Sequence, residues 1–341
     1  MNTAPAPVAP SDLSAADQVT LGHAQQTEGN LAAAEAHYAR ALALVHSYGP
    51  ALAQLAILAK HQFARAQVYL EQHDVPAARP FLVKAVELDP RNAVYRAALA
   101  ETLDPDRRDV TKQCFVHFGQ ARGEAVYREA FLRAFEYVAS SGIVGDYMEF
   151  GVLGGFTARI VCEHLRDMGM LRNVHLFDSF EGLPPFTSPV DAGSYDIAVR
   201  GVWADNMCFP ADFVAALGEP IDRHIHRGLS EVISADRVRI RRGYFSDTLQ
   251  QPIGAKAAVV HIDCDLYQST REVFTRLYET DVFQDGCVLM FDDWNCFKAS
   301  PYFGERRAFR EFLAEQDRFE ASAWFTYGFN GAAFFLHERP A

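Results

Sequence analysis

Apolar positions along this chain follow two different rhythms, and the change between them falls near residue 105. From about Leu13 to Leu103 the sequence is Ala-rich, with apolar residues at the three-and-four spacing of amphipathic helices and very few strand signals. Beyond it, short apolar runs punctuated by glycine alternate with amphipathic stretches. Strands are expected at 146–150 and within "NVHLFDSFEGLPPF" (173–186), "RVRIRRGYF" (237–245), "AAVVHIDCDLY" (257–267) and "GCVLMFDDWN" (286–295). Helices are expected at "EAVYREAFLRAFEYVASSG" (124–142), at 156–168, and at "STREVFTRLYET" and "ERRAFREFLAEQ". The closing "FTYGFNGAAFFLHE" holds two aromatic runs split by Asn330-Gly331, a hairpin signal. The pattern predicts an α/β fold: a doubly wound, mostly parallel sheet with an antiparallel end strand, preceded by an all-α region. Ligands of such sheets bind at the carboxyl ends of the strands.

This divides the chain into an Ala/Pro tail (1–12), a helical domain (13–105), a polar linker "LDPDRRD" and an α/β domain (110–341). Within the helical part, "EGNLAAAEAHYARALAL" and "QHDVPAARPFLVKAVELDP" superimpose at one constant offset: Ala34 on Ala78, Tyr38 on Leu82, Ala41 on Ala85 and Leu44 on Leu88. The pattern resembles tetratricopeptide repeats, although the offset exceeds their ~34-residue period. A stack of that kind offers a groove for a protein partner or for self-association, and the alternative is a helical cap on the second domain.

Composition narrows the partners. The chain has 341 residues, 49% of them hydrophobic, which suits about two globular domains. A net charge of -12 and a pI near 5.4 argue against nucleic acid or an anionic membrane, since both require basic patches. Cysteines 114, 162, 208, 264, 287 and 296 show no metal-ligand spacing and read as reduced core thiols. The start, "MNTAPAPVAP", has neither the basic nor the apolar region of a leader, and the expected compartment is the cytoplasm.

The chemistry is concentrated at predicted strand ends. After the first strand come Gly151, Gly154 and Gly155, a spacing that departs from the dinucleotide fingerprint but permits a tight turn with N–H groups facing a ligand. Asp178 ends the next strand, where an acid can bind the two hydroxyls of a ribose; the other reading is a carboxylate that caps the following turn. Asp263 and Asp265 follow the run "AAVVHI", and residues two apart in a strand share a side, so their charges are expected to lie together. Asp292 and Asp293 close the next strand. Four carboxylates converging on one edge suit a divalent cation such as Mg2+, which takes hard oxygen ligands.

The blocks "YMEFGVLGG", "FDSFEGLP", "GYFSDTL", "HIDCDLYQST" and "FDDW", in this order, resemble the macrocin O-methyltransferase (TylF) family of S-adenosylmethionine-dependent sugar O-methyltransferases, over about residues 115–337. The resemblance implies a class I methyltransferase fold, a divalent metal, usually Mg2+, and methyl transfer to a hydroxyl of a sugar or glycosylated natural product. It places Glu149, Gly151 and Gly155 at the methionine end of the cofactor and Asp178 and Ser179 at its ribose. It makes Asp263, Asp292 and Asp293 metal ligands and Asp265 the general base, with "GYFSDTL" near the adenine.

His261 is the rival base, read instead as a hydrogen-bonded core histidine. The stretch 186–237, with Trp203 and Asn206, matches no family block and is expected to form a lid or a structural turn. Two alternatives come from other classes. A D-x-D sequence also marks metal-dependent glycosyltransferases, in which the early glycine turn has no role. An inactive repeat-bearing interaction protein is the other, and the presence of all four acids weighs against it.

Overall fold

The computed structural model of the protein describes residues 13–102, 124–192, 214–215 and 217–340. The Ala/Pro tail, the linker, Trp203, Asn206 and most of the expected lid lie outside the described residues, as do Cys114 and Cys208. The chain forms two compact units. Of the described residues, the first comprises 13–102 together with the short segments Ala139–Val144 and Arg166–Leu171, and the second holds the others.

The first unit is helical: α1 (Ala15–Thr27), α2 (Leu31–Leu44), α3 (Gly49–Glu71), α4 (Val75–Leu88) and α5 (Ala93–Thr102), each packed on the next. Ser14 opens α1 with a capping box: its Oγ accepts from the Asp17 N–H at 3.2 Å, and the Asp17 carboxylate accepts from the Ser14 N–H at 3.0 Å. Of the pairs superimposed in the sequence, Ala34 with Ala78, Tyr38 with Leu82 and Ala41 with Ala85 are fully buried in one core. The last pair diverges, because Leu44 is 38% exposed and Leu88 is 4%.

The second unit is built on a seven-stranded sheet of order β3-β2-β1-β4-β5-β7-β6. Its strands are β1 (Asp146–Phe150), β2 (Val174–Asp178), β3 (Val238–Arg242), β4 (Ala257–Ile262), β5 (Val288–Phe291), β6 (Phe319–Tyr327) and β7 (Gly331–Glu338). β1 to β5 run parallel, and β7 pairs antiparallel with both β5 and β6. The helices are α6 (Glu124–Ser140), α7 (Phe156–Asp167), α8 (Ile221–Leu229), α9 (Tyr267–Glu279) and α10 (Gly304–Glu315). All six residues of β4 are buried, as a strand covered on both faces requires, so its sequence is continuously apolar apart from His261. The expected α/β fold with an antiparallel end is present, and the final hairpin turns at Gly328–Asn330. Where "AAVVHIDCDLY" suggests one long strand, β4 stops at Ile262, and "RVRIRRGYF" yields to a helical turn at Phe245–Thr248. The described cysteines 162, 264, 287 and 296 are free thiols, the first three buried.

Candidate active site

The glycine turn is shaped by close backbone approach. Gly151 sits at φ +93°, and a Cβ there would lie 1.8 Å from the Asp263 carbonyl oxygen. Its N–H donates to the Phe177 carbonyl at 3.0 Å, and the Asp263 N–H donates to the Phe150 carbonyl at 2.9 Å. The turn after β1 is therefore pinned between the ends of β2 and β4, and only glycine fits. Gly155, at φ +75°, leads into α7.

Asp178 and Ser179 both serve the local chain. Asp178 Oδ2 accepts from the N–H groups of Val152 (2.6 Å) and Leu153 (2.8 Å), and Oδ1 accepts from Phe180 N–H (2.6 Å). The carboxylate that ends β2 thus braces the glycine turn. Ser179 Oγ donates to the Gly182 carbonyl at 2.8 Å and accepts from Glu181 N–H at 3.0 Å, which closes its own turn. Glu149 is fully buried in β1 and accepts from the hydroxyls of Tyr147 (2.7 Å) and Thr157. Burial pushes its carboxyl up to about 8, against the two hydrogen bonds, which favour the ionised form.

The acids after β4 and β5 do meet, but not by strand alternation. β4 has ended before Asp263, and Asp265 takes a left-handed φ of +58°. The convergence depends instead on Glu305, at the start of α10. One oxygen of this buried carboxylate accepts from Cys264 N–H at 3.2 Å and the other from Asp293 N–H at 3.1 Å, so it ties the two acidic loops together. Asp265 is hydrogen-bonded to Asp293, whose Oδ1 also accepts from Cys296 Sγ at 3.0 Å. Tyr127 of α6 donates to Asp292 at 2.6 Å.

Asp263, Asp265 and Asp292 retain some surface, while Asp293 and Glu305 are buried. Lost hydration, and after it the charges of the other carboxylates, raise Asp263 and Asp265 well above the ordinary carboxylate range. The same effects raise Glu305, and they lift Asp292 to about 7 against the Tyr127 hydrogen bond. Among the described residues no lysine or arginine forms an ion pair with any of these five groups. As donors they are all hard oxygens with no cationic side chain paired to them among the described residues, which fits a divalent cation. As placed, no group of three or more His, Cys, Asp or Glu among the described residues forms a ready metal cage. The acids meet instead through hydrogen bonds to one another and to the chain.

His261 is fully buried on β4, edge-on to Phe131, and neither ring nitrogen has a hydrogen-bond partner. The expected hydrogen-bonded core histidine is thus core but without a hydrogen bond, because Glu149, its register partner on β1, stands 4.0 Å away. Burial lowers its pKa to about 3. Tyr127 and Glu305 are the site residues that the sequence patterns missed. Tyr127 looks like one more position of an amphipathic helix, and Glu305 like an ordinary first-turn acid; no local signal distinguishes either.

A mostly parallel sheet closed by one antiparallel hairpin, with a glycine turn after β1 and acids after β2, β4 and β5, defines a class I methyltransferase fold. The protein-family model described as macrocin-O-methyltransferase (TylF) matches residues 54–322, most of the chain, and the chain belongs to that family. The match begins inside α3, well before the stretch that the five motifs cover. Among curated relatives, the 8-demethyl-8-(2,3-dimethoxy-alpha-L-rhamnosyl)-tetracenomycin-C 4'-O-methyltransferase of Streptomyces olivaceus is 31% identical over 47% of this chain and 56% of its own. Demethyldecarbamoylnovobiocin O-methyltransferase of Streptomyces niveus is 29% identical over 51% of this chain and 62% of its own. The chain thus spans about three fifths of the length of these relatives. The solved structure of the O-methyltransferase NovP aligns with 62% of this chain and 79% of its own, at 23% identity and a TM-score of 0.49. Among the described residues no helix is long and apolar enough to cross a membrane.

Proposed function

We propose that this protein is an S-adenosylmethionine-dependent O-methyltransferase whose acceptor is a sugar hydroxyl of a glycosylated natural product, and that a divalent cation, Mg2+ in the first place, assists it. The observation that carries the reading is the contact between Gly151 and the Asp263 backbone, which sets a cofactor-type glycine turn directly against the cluster of carboxylates after β4 and β5. Family membership and the relatives' substrates, a rhamnosyl group on tetracenomycin among them, support the acceptor class.

In this reading Glu149, Gly151 and Gly155 line the methionine end of the cofactor, with Asp178 and Ser179 beside its ribose. Asp178 retains lone pairs beyond its three backbone bonds, so bracing the turn and meeting a ribose are compatible. Asp263, Asp292 and Asp293 would hold the cation, whose contribution when bound is to lower the pKa of an acceptor hydroxyl. Glu305 keeps the loops of these acids in register, and Tyr127 fixes Asp292. Asp265 receives the hydroxyl proton on a carboxylate oxygen. S-adenosylmethionine, when bound, would supply its methyl carbon to the acceptor oxygen and keep the electron pair of the broken carbon–sulfur bond as a neutral thioether, while Asp265 takes the proton. Holding hydroxyl and methyl in line is worth up to about 7–11 kcal/mol in well-oriented cases.

Calorimetry tests the cofactor. S-adenosylmethionine and S-adenosylhomocysteine should bind, and nucleotide sugars should not. The reverse result would move the chain to glycosyl transfer, and binding of neither would make it an interaction protein of methyltransferase fold.

A further inference from the structure

Among the described residues, the phenylalanine, tyrosine and tryptophan side chains are buried or half-buried with three exceptions: Phe186, Tyr302 and Phe329, exposed by 39%, 61% and 88%. All three stand on loops at the carboxyl edge of the sheet. Phe186 follows β2, Tyr302 lies between β5 and α10, and Phe329 is in the β6–β7 turn. Antiparallel pairing of β7 with β5, Ala332 opposite Phe291, brings that turn level with Asp292. Leaving such a ring in water forgoes the free energy of burying it. That this happens, among the described residues, at the edge bearing the reacting groups points to a ligand that covers the rings.

The rings of Tyr302 and Phe329 are carried on fixed backbone. Beside Phe329, the Asn295 N–H donates to the Asn330 carbonyl at 2.9 Å, and Asn330 Nδ2 donates to Cys296 Sγ at 3.2 Å. Tyr302 N–H donates to Ser300 Oγ at 3.3 Å, Arg307 Nη1 donates to its carbonyl at 3.4 Å, and the Arg310 guanidinium lies 5.5 Å from its ring centre. Between the two anchors, Phe297, Lys298 and Ala299 all take left-handed φ values near +56 to +60°, a costly conformation for these residues. Both rings are thus tied to the segment that follows Asp292 and Asp293.

We infer that Tyr302 and Phe329 form a subsite for the apolar, non-sugar portion of a glycoside acceptor, beside the cluster of carboxylates that receives the hydroxyl. The inference rests on the sugar O-methyltransferase reading and deepens it. Carboxylates suit a hydroxyl and not a large apolar group, whereas a phenyl and a phenol ring, the latter beside a guanidinium, suit a flat or apolar surface. A two-part site of this kind fits a two-part substrate.

The test uses the full chain saturated with S-adenosylhomocysteine and two probes, 4-methylumbelliferyl α-L-rhamnopyranoside and methyl α-L-rhamnopyranoside, with affinities measured by calorimetry or saturation-transfer spectroscopy. The aryl glycoside should bind about 10-fold or more tightly than the methyl glycoside, the scale expected for covering two aromatic rings. Tyr302→Ala with Phe329→Ala should remove most of that preference while S-adenosylhomocysteine affinity and the thermal midpoint stay as in the native chain. Equal binding of the two probes, or a preference that survives in the double variant, overturns the subsite. So does a double variant that loses cofactor affinity and stability together, since the rings would then serve packing. If neither probe binds while S-adenosylhomocysteine does, the sugar-acceptor reading itself fails.

Discussion

Asp263 and Asp265 are two apart in sequence yet occupy different surroundings. The backbone of Asp263 is locked to β1 and Gly151, and Asp265 turns through a left-handed φ to reach Asp293. If Asp263 is a ligand, Asp263→Asn should weaken Mg2+ binding, with high Mg2+ restoring part of the turnover, because an amide oxygen still coordinates. If Asp265 is the base, Asp265→Asn should lower turnover by about 100-fold or more at every Mg2+ concentration while metal affinity changes little. Parallel Mg2+ binding and turnover titrations decide; if neither variant alters metal affinity or rate, the carboxylates are structural. Glu149 gives a pH prediction with a definite sign. Its folded pKa, about 8, lies above the ordinary 4.5, so its contribution to stability is fully present below about 4.5 and is lost as pH rises through about 8. Glu149→Gln mimics the neutral acid, and urea unfolding from pH 5 to 8.5 should show the native chain losing stability relative to the variant. A gap that stays constant across that range would show Glu149 ionised in the folded state.

At the level of elements, the glycine turn is where strand ends and function meet. Gly151→Ala would place a Cβ inside the Asp263 carbonyl and impose a left-handed φ on alanine, which alone costs about 1–2 kcal/mol. The end of β4 must then shift. Cofactor affinity and thermal midpoint should both fall, and a fully stable Gly151→Ala that binds S-adenosylmethionine normally would show the turn to be looser than described. The elements also show where reading the sequence succeeds. β4 and α7 were legible because burial on both faces and helical periodicity leave strong local signatures. The end of β4 was not, since apolar and acidic residues alternate through "IDCDL" as they would along a strand while the backbone leaves the ladder at Ile262 to meet α10.

For the whole molecule, the division into units does not follow the linear order of the chain. The compact first unit takes in Ala139–Val144 and Arg166–Leu171, so chain that a linear boundary near residue 105 assigns to the α/β domain belongs with the helices. A chain beginning at Asp109 should therefore keep S-adenosylmethionine binding but lose solubility as Leu171, which packs in the helical core, becomes uncovered. Light scattering and calorimetry on that chain check both halves of the expectation. A folded, soluble chain without cofactor affinity would place the helical unit in the active site.

Local pattern by itself determined the helical first part, the alternation of strands and helices, the closing hairpin, and the glycine and aspartate positions at strand ends. Each of these follows from short-range rules: periodicity, turn chemistry, and the cost of burying charge within a strand. Tertiary structure alone decided that Glu305 clasps the two acidic loops, that Tyr127 holds Asp292, that Asp178 braces the glycine turn, and that His261 is buried without a partner. These depend on groups far apart in the chain, and a side chain's partner across the sheet leaves no mark on the residues beside it.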